Sequence, residues 1–178
     1  MFPITLDTSL LPVAVIGNGE ATHRRLELFT AAGAKKVMHF KEMPDVKDVE
    51  GVKVAFVADF DNDTSLAIYT KLNALGMIVN VEDKRHLCDF HVPAQVRRGD
   101  LLVTVSTNGQ SPRIARLFRQ MLEKIFPEEW AVRLKEIGEN RNTWKREGND
   151  IPALAKLTDE LLARKGWLKD LCPCKWPQ

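Results

Sequence analysis

A chain of 178 residues, 44% hydrophobic and 28% charged, is long for one small domain and has the composition of a globular protein with a sizeable core. Its net charge of +2 says little by itself, and no segment approaches the roughly 20 consecutive apolar residues that cross a bilayer. The opening MFPITLDTSL has neither a basic n-region nor a long apolar h-region, so a cytoplasmic protein without a secretory signal is expected.

LPVAVIGNGEATHRRLELFTAAGAKKVMHF reads strand, tight turn, helix, strand. Val13 to Ile16 is a short β-rich run that stops at Gly17. Leu26, Phe29 and the alanines give residues 20–32 one apolar face, with Gly33 as the stop. Val37 to Phe40 makes the second strand of a βαβ unit, which crosses right-handed into a parallel sheet. VKVAFVADF, residues 52–60, lacks a helical period and suits a strand buried on both faces. DNDTSLAIYTKLNALG then spaces Leu66, Tyr69, Leu72 and Leu75 as a helix, with Asp63 or Thr64 as its N-cap, and MIVNV follows as a fourth strand.

Beyond residue 83 the pattern changes. DLLVTVST, residues 100–107, is a strand, and FHVPAQV is a candidate partner for it. SPRIARLFRQMLEKIFP opens on an N-cap serine, Ser111, with Pro112 at the first helical position. Ile114, Leu117, Phe118, Met121, Leu122 and Ile125 then fall on one helical face. Two more helices follow: one after Pro127 through Trp130, Leu134 and Ile137, and one after Pro152 through Leu154, Leu157 and Leu161. Alternating strands and helices thus give way to a helical C-terminal third.

Charge is uneven along the chain. Residues 97–146 hold a local +5 and residues 41–63 a local −4. The basic half would attract a polyanion (nucleic acid, a phosphate-rich cofactor or a polycarboxylate), although a solvated helix face reads the same way. No interleaving of aromatic and basic residues marks a nucleic-acid surface. Cys88, Cys172 and Cys174 are too few and too scattered for a disulfide framework. Cys172 and Cys174 could hold a soft metal only with ligands from elsewhere, so a frayed terminus is expected there and no metal site.

Three segments carry chemistry. VIGNGEAT puts Gly17 and Gly19 between a strand and a helix, where absent side chains permit a tight turn and let a pyrophosphate approach the helix N-terminus. An ordinary glycine turn has the same spelling. STNGQSPRIAR crowds hydroxyl and amide groups (Ser106, Thr107, Asn108, Ser111) around a turn that can offer N–H groups to an anion. Arg113, Arg116 and Arg119 recur on the helix that follows, as a carboxylate-binding edge or as solvated arginines. Glu82 and Asp83 end the fourth strand on the same sheet edge as the glycine turn, where ligands of open α/β sheets gather. A carboxylate there serves as a general base, or as a helix cap or salt-bridge partner.

GNGEATHRRLELFTAAGAKKV and NVEDKRHLCDFHVPAQVRRGDLLVTVSTNGQSPRIARLFRQMLE, in that order, resemble the precorrin-2 dehydrogenase/sirohydrochlorin ferrochelatase family, which includes the N-terminal module of siroheme synthase. The resemblance runs over residues 11–150 and follows N-V-x-D, then F-x-x-P, then R-x-x-L-x-V-x-x-S-T-x-G-x-S-P-x-x-A-R. It implies NAD-dependent oxidation of precorrin-2 to sirohydrochlorin, followed by insertion of ferrous iron, a substrate, to give sirohaem. The family's catalytic aspartate falls on Asp83, and its nucleotide-binding positions on Gly17, Asn18, Gly19, Glu20 and Ala21 and on Lys41 and Glu42. Ser106, Thr107, Asn108, Ser111, Arg113 and Arg116 become candidate binders of the tetrapyrrole, and the protein is expected to be a homodimer in which LLVTVST seeks a partner strand.

Only KEMPDVKDVEG separates the second strand from VKVAFVAD, where the family usually carries a further helix and strand, and Ala58 and Asp59 replace its usual A-A-T. The expected organisation is α/β. A truncated Rossmann-like parallel sheet binds nucleotide over 1–83, a β dimerisation segment spans 84–110, and a helical domain spans 111–178. The alternative is a relative of this family without catalysis, which holds a tetrapyrrole or nucleotide as carrier or regulator.

Overall fold

The computed structural model describes residues 2–167, so Cys172 and Cys174 lie outside the described residues. The chain divides into two compact units, with the boundary between Val92 and Pro93.

The first unit alternates β1 (Val13–Ile16), α1 (Glu20–Ala31), β2 (Val37–Phe40), β3 (Val54–Val57), α2 (Asn62–Ala74) and β4 (Ile78–Val81). All four strands are parallel, in the order β2-β1-β3-β4, with Val13 opposite both Val37 and Val54 and with Val54 opposite Ile78. The link from β2 to β3 is a single 3-10 turn, Val46–Val49, with Val49 buried. This is the shortened sheet that KEMPDVKDVEG predicts. The chain leaves β1 on one side to form β2 and returns past it to form β3, so the topological switch point lies between β1 and β3.

Strand residues alternate between two apolar layers. Ala14, Ile16, Ala55, Val57, Val79 and Val81 pack with Ile68 and Leu72 of α2 and with Val49, Val52 and Leu87. Val13, Val15, Val54 and Phe56 pack with Phe29 of α1. There the Phe56 ring meets Phe29 and Phe90 edge-on, each at 5.1 Å between centroids.

Two local expectations need correction. The N-cap of α2 is Asp61, whose side chain accepts from the Thr64 amide at 2.8 Å and the Thr64 hydroxyl at 3.1 Å, rather than Asp63 or Thr64. The buried face of α2 is Ser65, Ile68 and Leu72, while Leu66 is 51% exposed and Leu75 37%. Leu66, Tyr69 and Leu72 share helical spacing, but the sheet sets which stripe is covered, and it selects the one carrying Ile68.

The second unit begins with an antiparallel hairpin of β5 (Ala94–Arg98) and β6 (Leu101–Val105), turned by Gly99 at φ +59°. FHVPAQV thus supplies the partner of LLVTVST from the same chain, and the hairpin does not require a strand from a second copy. Three helices follow: α3 (Pro112–Ile125), α4 (Trp130–Arg146) and α5 (Ile151–Lys165). Ser111 caps α3 by accepting from the Ile114 amide, with Pro112 in the first turn, as its sequence predicts. Among the described residues of this unit, Val96, Trp130, Ile137, Leu154 and Leu161 are the buried apolar ones. None of the α3 residues is buried, and Ile114, Leu117, Phe118 and Met121 are 37–55% exposed.

Candidate functional site

The carboxyl ends of the parallel strands set the loops of the first unit along one edge. Among the described residues, Asp59, Asp83 and Asn108 are the non-glycine residues with left-handed backbone, at φ +65°, +59° and +51°. Asp59 stands two residues beyond β3 and Asp83 two residues beyond β4. Asp and Asn tolerate this region better than other L-residues, yet it still costs on the order of 1 kcal/mol.

After β1 the chain turns at Gly17, whose φ is +148°. Its amide donates to the Phe40 carbonyl at 2.8 Å, and His39 Nε2–H donates to the Gly17 carbonyl at 2.9 Å. A Cβ at Gly17 would collide with the Ala58 carbonyl and the Thr22 hydroxyl, so this glycine serves the close approach of α1 to the loop after β3. Asn18 and Glu20 are exposed, and Ala21 is buried in the first turn of α1. Lys41 and Glu42, also exposed, line a concavity of about 460 Å³ with His39, Met43 and Asp48.

The free N–H groups at the start of α1 already have a partner. Asp59 Oδ2 accepts from the Thr22 amide at 2.9 Å and from the Thr22 hydroxyl at 2.6 Å, and Oδ1 accepts from the Ala21 amide at 3.3 Å. Thr22 itself is fully buried. Partial burial raises the Asp59 pKa, but the hydrogen bonds from Thr22, Ala21 and Gly19 outweigh it and leave the carboxyl below its ordinary value. A Cβ on Gly19 would stand 2.6 Å from the Asp59 Cγ, so the space that the second glycine opens is filled by a carboxylate. As folded, these residues do not fit the pyrophosphate of a dinucleotide, because its donors are taken and an anion stands in its place.

Glu82 and Asp83 are adjacent in sequence and differ in surroundings. Glu82 Oε2 accepts from Arg25 Nε at 3.0 Å and from Arg25 Nη2, in a pair whose side chains are 18% and 21% exposed. The Arg25 guanidinium also lies over the Phe56 ring, 5.4 Å from its centroid. Asp83 is exposed, and its carboxylate has no hydrogen bond or ion pair among the described residues. Glu82 is therefore committed to holding α1 against the end of β4, whereas the Asp83 carboxylate is open to solvent. Cys88, close by in sequence, donates to the Val81 and Lys84 carbonyls at 3.2 and 3.3 Å. Burial pushes its thiol pKa up, so it acts as a structural donor and not as a nucleophile.

In the second unit the β6–α3 loop is tied by its own side chains. Ser111 N donates to the Thr107 hydroxyl at 3.2 Å, that hydroxyl donates to the Ser111 carbonyl, and Asn108 N donates to the Ser106 hydroxyl at 3.2 Å. Arg113 and Arg116 are exposed on the first turns of α3, whereas Arg119 pairs with Glu123 one turn on. Thr22, Arg25 and His39 belong to the first unit's edge and are not among the site residues expected from the sequence, where Asp59 enters only as a departure from A-A-T. Asp59 stands where the sequence departs from the A-A-T of the family it resembles, and that departure was the available signal.

Residues 98–125 match a protein family described as "Sirohaem biosynthesis protein central", and residues 36–94 one described as "Putative NAD(P)-binding". The second match begins after the glycine turn. Over 172 residues the chain is 30% identical to a siroheme synthase of Psychrobacter cryohalolentis, covering 86% of this chain and 32% of that one. It is 28% identical over 178 residues to siroheme synthase 1 of Pectobacterium atrosepticum, covering 89% and 37%. The chain thus spans about a third of the length of these relatives. Among solved structures, SirC, a precorrin-2 dehydrogenase, has the same fold, with a TM-score of 0.69 at 20% identity over 96% of this chain and 98% of that one. The resemblance read from the motifs is borne out by these matches, and the Rossmann-like α/β fold by the last of them.

Proposed function

We propose that this chain, a sequence relative of siroheme synthases, acts on the tetrapyrrole of sirohaem synthesis by oxidising precorrin-2 to sirohydrochlorin, with Asp83 as the group that takes up protons. The observation that carries this reading is the contrast at the end of β4: Glu82 is locked by Arg25, and Asp83 stands exposed and unpaired at positive φ. Loss of hydrogen from the macrocycle leaves protons to be removed, and a carboxylate open to a substrate can remove them. The oxidation needs a hydride acceptor, and NAD would fill that role only with the Asp59 side chain out of the glycine turn. Arg113 and Arg116, with the Ser106–Ser111 loop, supply cations and hydroxyls suited to the carboxylates of the macrocycle.

A second reading, insertion of ferrous iron into sirohydrochlorin without the oxidation, is favoured by one feature, the Asp59 carboxylate in the glycine turn. It needs no nucleotide, and Asp83 would there assist removal of the pyrrole protons. The organisation we infer is a homodimer in the cytoplasm, with residues 84–110 as the dimerisation segment and the exposed apolar face of α3 as part of the contact. No helix among the described residues is long and apolar enough to cross a membrane.

Two incubations test the reading. Protein with precorrin-2 and NAD should develop the absorption spectrum of sirohydrochlorin, and protein with sirohydrochlorin and ferrous iron that of sirohaem. The first result supports the dehydrogenase, and the second alone supports iron insertion. Tight tetrapyrrole binding with neither reaction selects a binding relative of the family.

A further inference from the structure

We infer that Asp59 is an internal competitor for the phosphate place of the glycine turn, so that a dinucleotide binds this chain only with the Asp59 side chain turned away. The inference rests on the reading of this turn as a nucleotide site and concerns what limits it. A pyrophosphate at the start of a Rossmann helix uses two things: N–H donors of the first turn and the space beside the second glycine. Here both are in use. The Thr22 and Ala21 amides and the Thr22 hydroxyl donate to the Asp59 carboxylate, and the space at Gly19 is where Asp59 Cγ lies.

Charge acts in the same direction. A phosphate brought to these donors would meet the ionised Asp59, with Glu20 also in the first turn of the helix. Like charges a few ångströms apart near a protein surface repel strongly. The site is also built so that the carboxylate can leave. Asp59 is an exposed residue on a loop at the open edge of the sheet, so its withdrawal exposes no buried core. What must be given up is the set of hydrogen bonds from Thr22, Ala21 and Gly19 that caps α1, which is a penalty on binding and not a bar to it. Loop position matters as well: Asp59 follows β3, on the far side of the switch point from the β1 turn, so it reaches the donors from the crevice where a ligand would enter.

Calorimetric titration with NAD and NADP of the wild-type chain, Asp59→Ser and Asp59→Asn tests this, with inorganic pyrophosphate as a second probe in thermal unfolding. Asp59→Ser removes both the bulk and the charge, and Asp59→Asn the charge alone. Thr22→Val keeps the shape of the buried side chain while releasing the carboxylate from its shortest hydrogen bond. Affinity for the preferred dinucleotide should rise at least about tenfold in Asp59→Ser, less in Asp59→Asn and in Thr22→Val, and pyrophosphate should raise the melting temperature of Asp59→Ser but not of the wild type. Equal, measurable affinity in the wild type and all three variants overturns the inference and leaves the nucleotide reading standing. Absence of binding in every protein, each shown folded by its cooperative melt, overturns the nucleotide reading itself and with it the role given to Asp59.

Discussion

Separating Arg25 from Glu82 should unlock the end of β4, and the size of the effect follows from their surroundings. The two residues are 57 positions apart in sequence, and the guanidinium meets one carboxylate oxygen through both Nε and Nη2. At 4 Å and an effective dielectric near 20, unit charges attract by about 4 kcal/mol. Partial desolvation of both groups and the ordering of two long side chains oppose this, since the side chains keep only 18% and 21% of their exposure. A net coupling of about 1–2 kcal/mol remains, close to tenfold in the folding equilibrium. Urea unfolding of the wild type, Arg25→Met, Glu82→Gln and the double variant isolates that coupling, and repeating it at high salt should reduce it only modestly because the pair is sheltered. Arg25→Met alone should be less stable than the double variant, because it leaves the Glu82 carboxylate without its cation. Additive losses, with a coupling below about 0.3 kcal/mol, would show that the pair is not what holds α1 to β4.

Three further outcomes are expected. Because its pKa is depressed in the folded chain, Asp59 contributes stability that is present above its unfolded value and lost as pH falls through the lower folded value. Melting temperatures measured from pH 5 down to pH 2.5 should therefore fall less steeply in Asp59→Asn than in the wild type. Asp61→Ala should lower the urea midpoint through loss of the α2 cap, whereas Asp63→Ala should change it little. If α3 contributes to a dimer contact, Met121→Lys should shift the sedimentation profile toward monomer without changing the melting of the first unit; an unchanged profile removes α3 from that contact.

Much of the fold could be read from local pattern. VAVI was legible as a strand because it is a short β-rich run between Pro12 and Gly17, VMHF because it is a short apolar run following the helix stop at Gly33, and SPRIARL as a capped helix because serine and proline meet the demands of its first turn. The stripe of α2 was not, since Ile68 and Leu66 look equally apolar until a sheet covers one of them. Asp83 was legible only through resemblance and position at a strand end. Whether it or Glu82 would be paired depended on Arg25, far away in sequence. Likewise the glycine turn announced room for an anion, and the replacement of A-A-T by Ala58 and Asp59 announced a negative charge near it; that the carboxylate caps the Thr22 amide, 37 residues back, is a long-range contact that only the fold shows.

The most direct measurement is turnover by Asp83→Asn, followed in both the precorrin-2 oxidation and the iron-insertion assays beside tetrapyrrole binding and urea unfolding. Loss of a positioned proton acceptor lowers rates by about 10²- to 10⁴-fold. The expected result is a loss of that size in whichever reaction the wild type performs, with tetrapyrrole affinity and stability close to those of the wild type. Undiminished turnover in a folded Asp83→Asn protein would contradict the role of this carboxylate and the function argued from it.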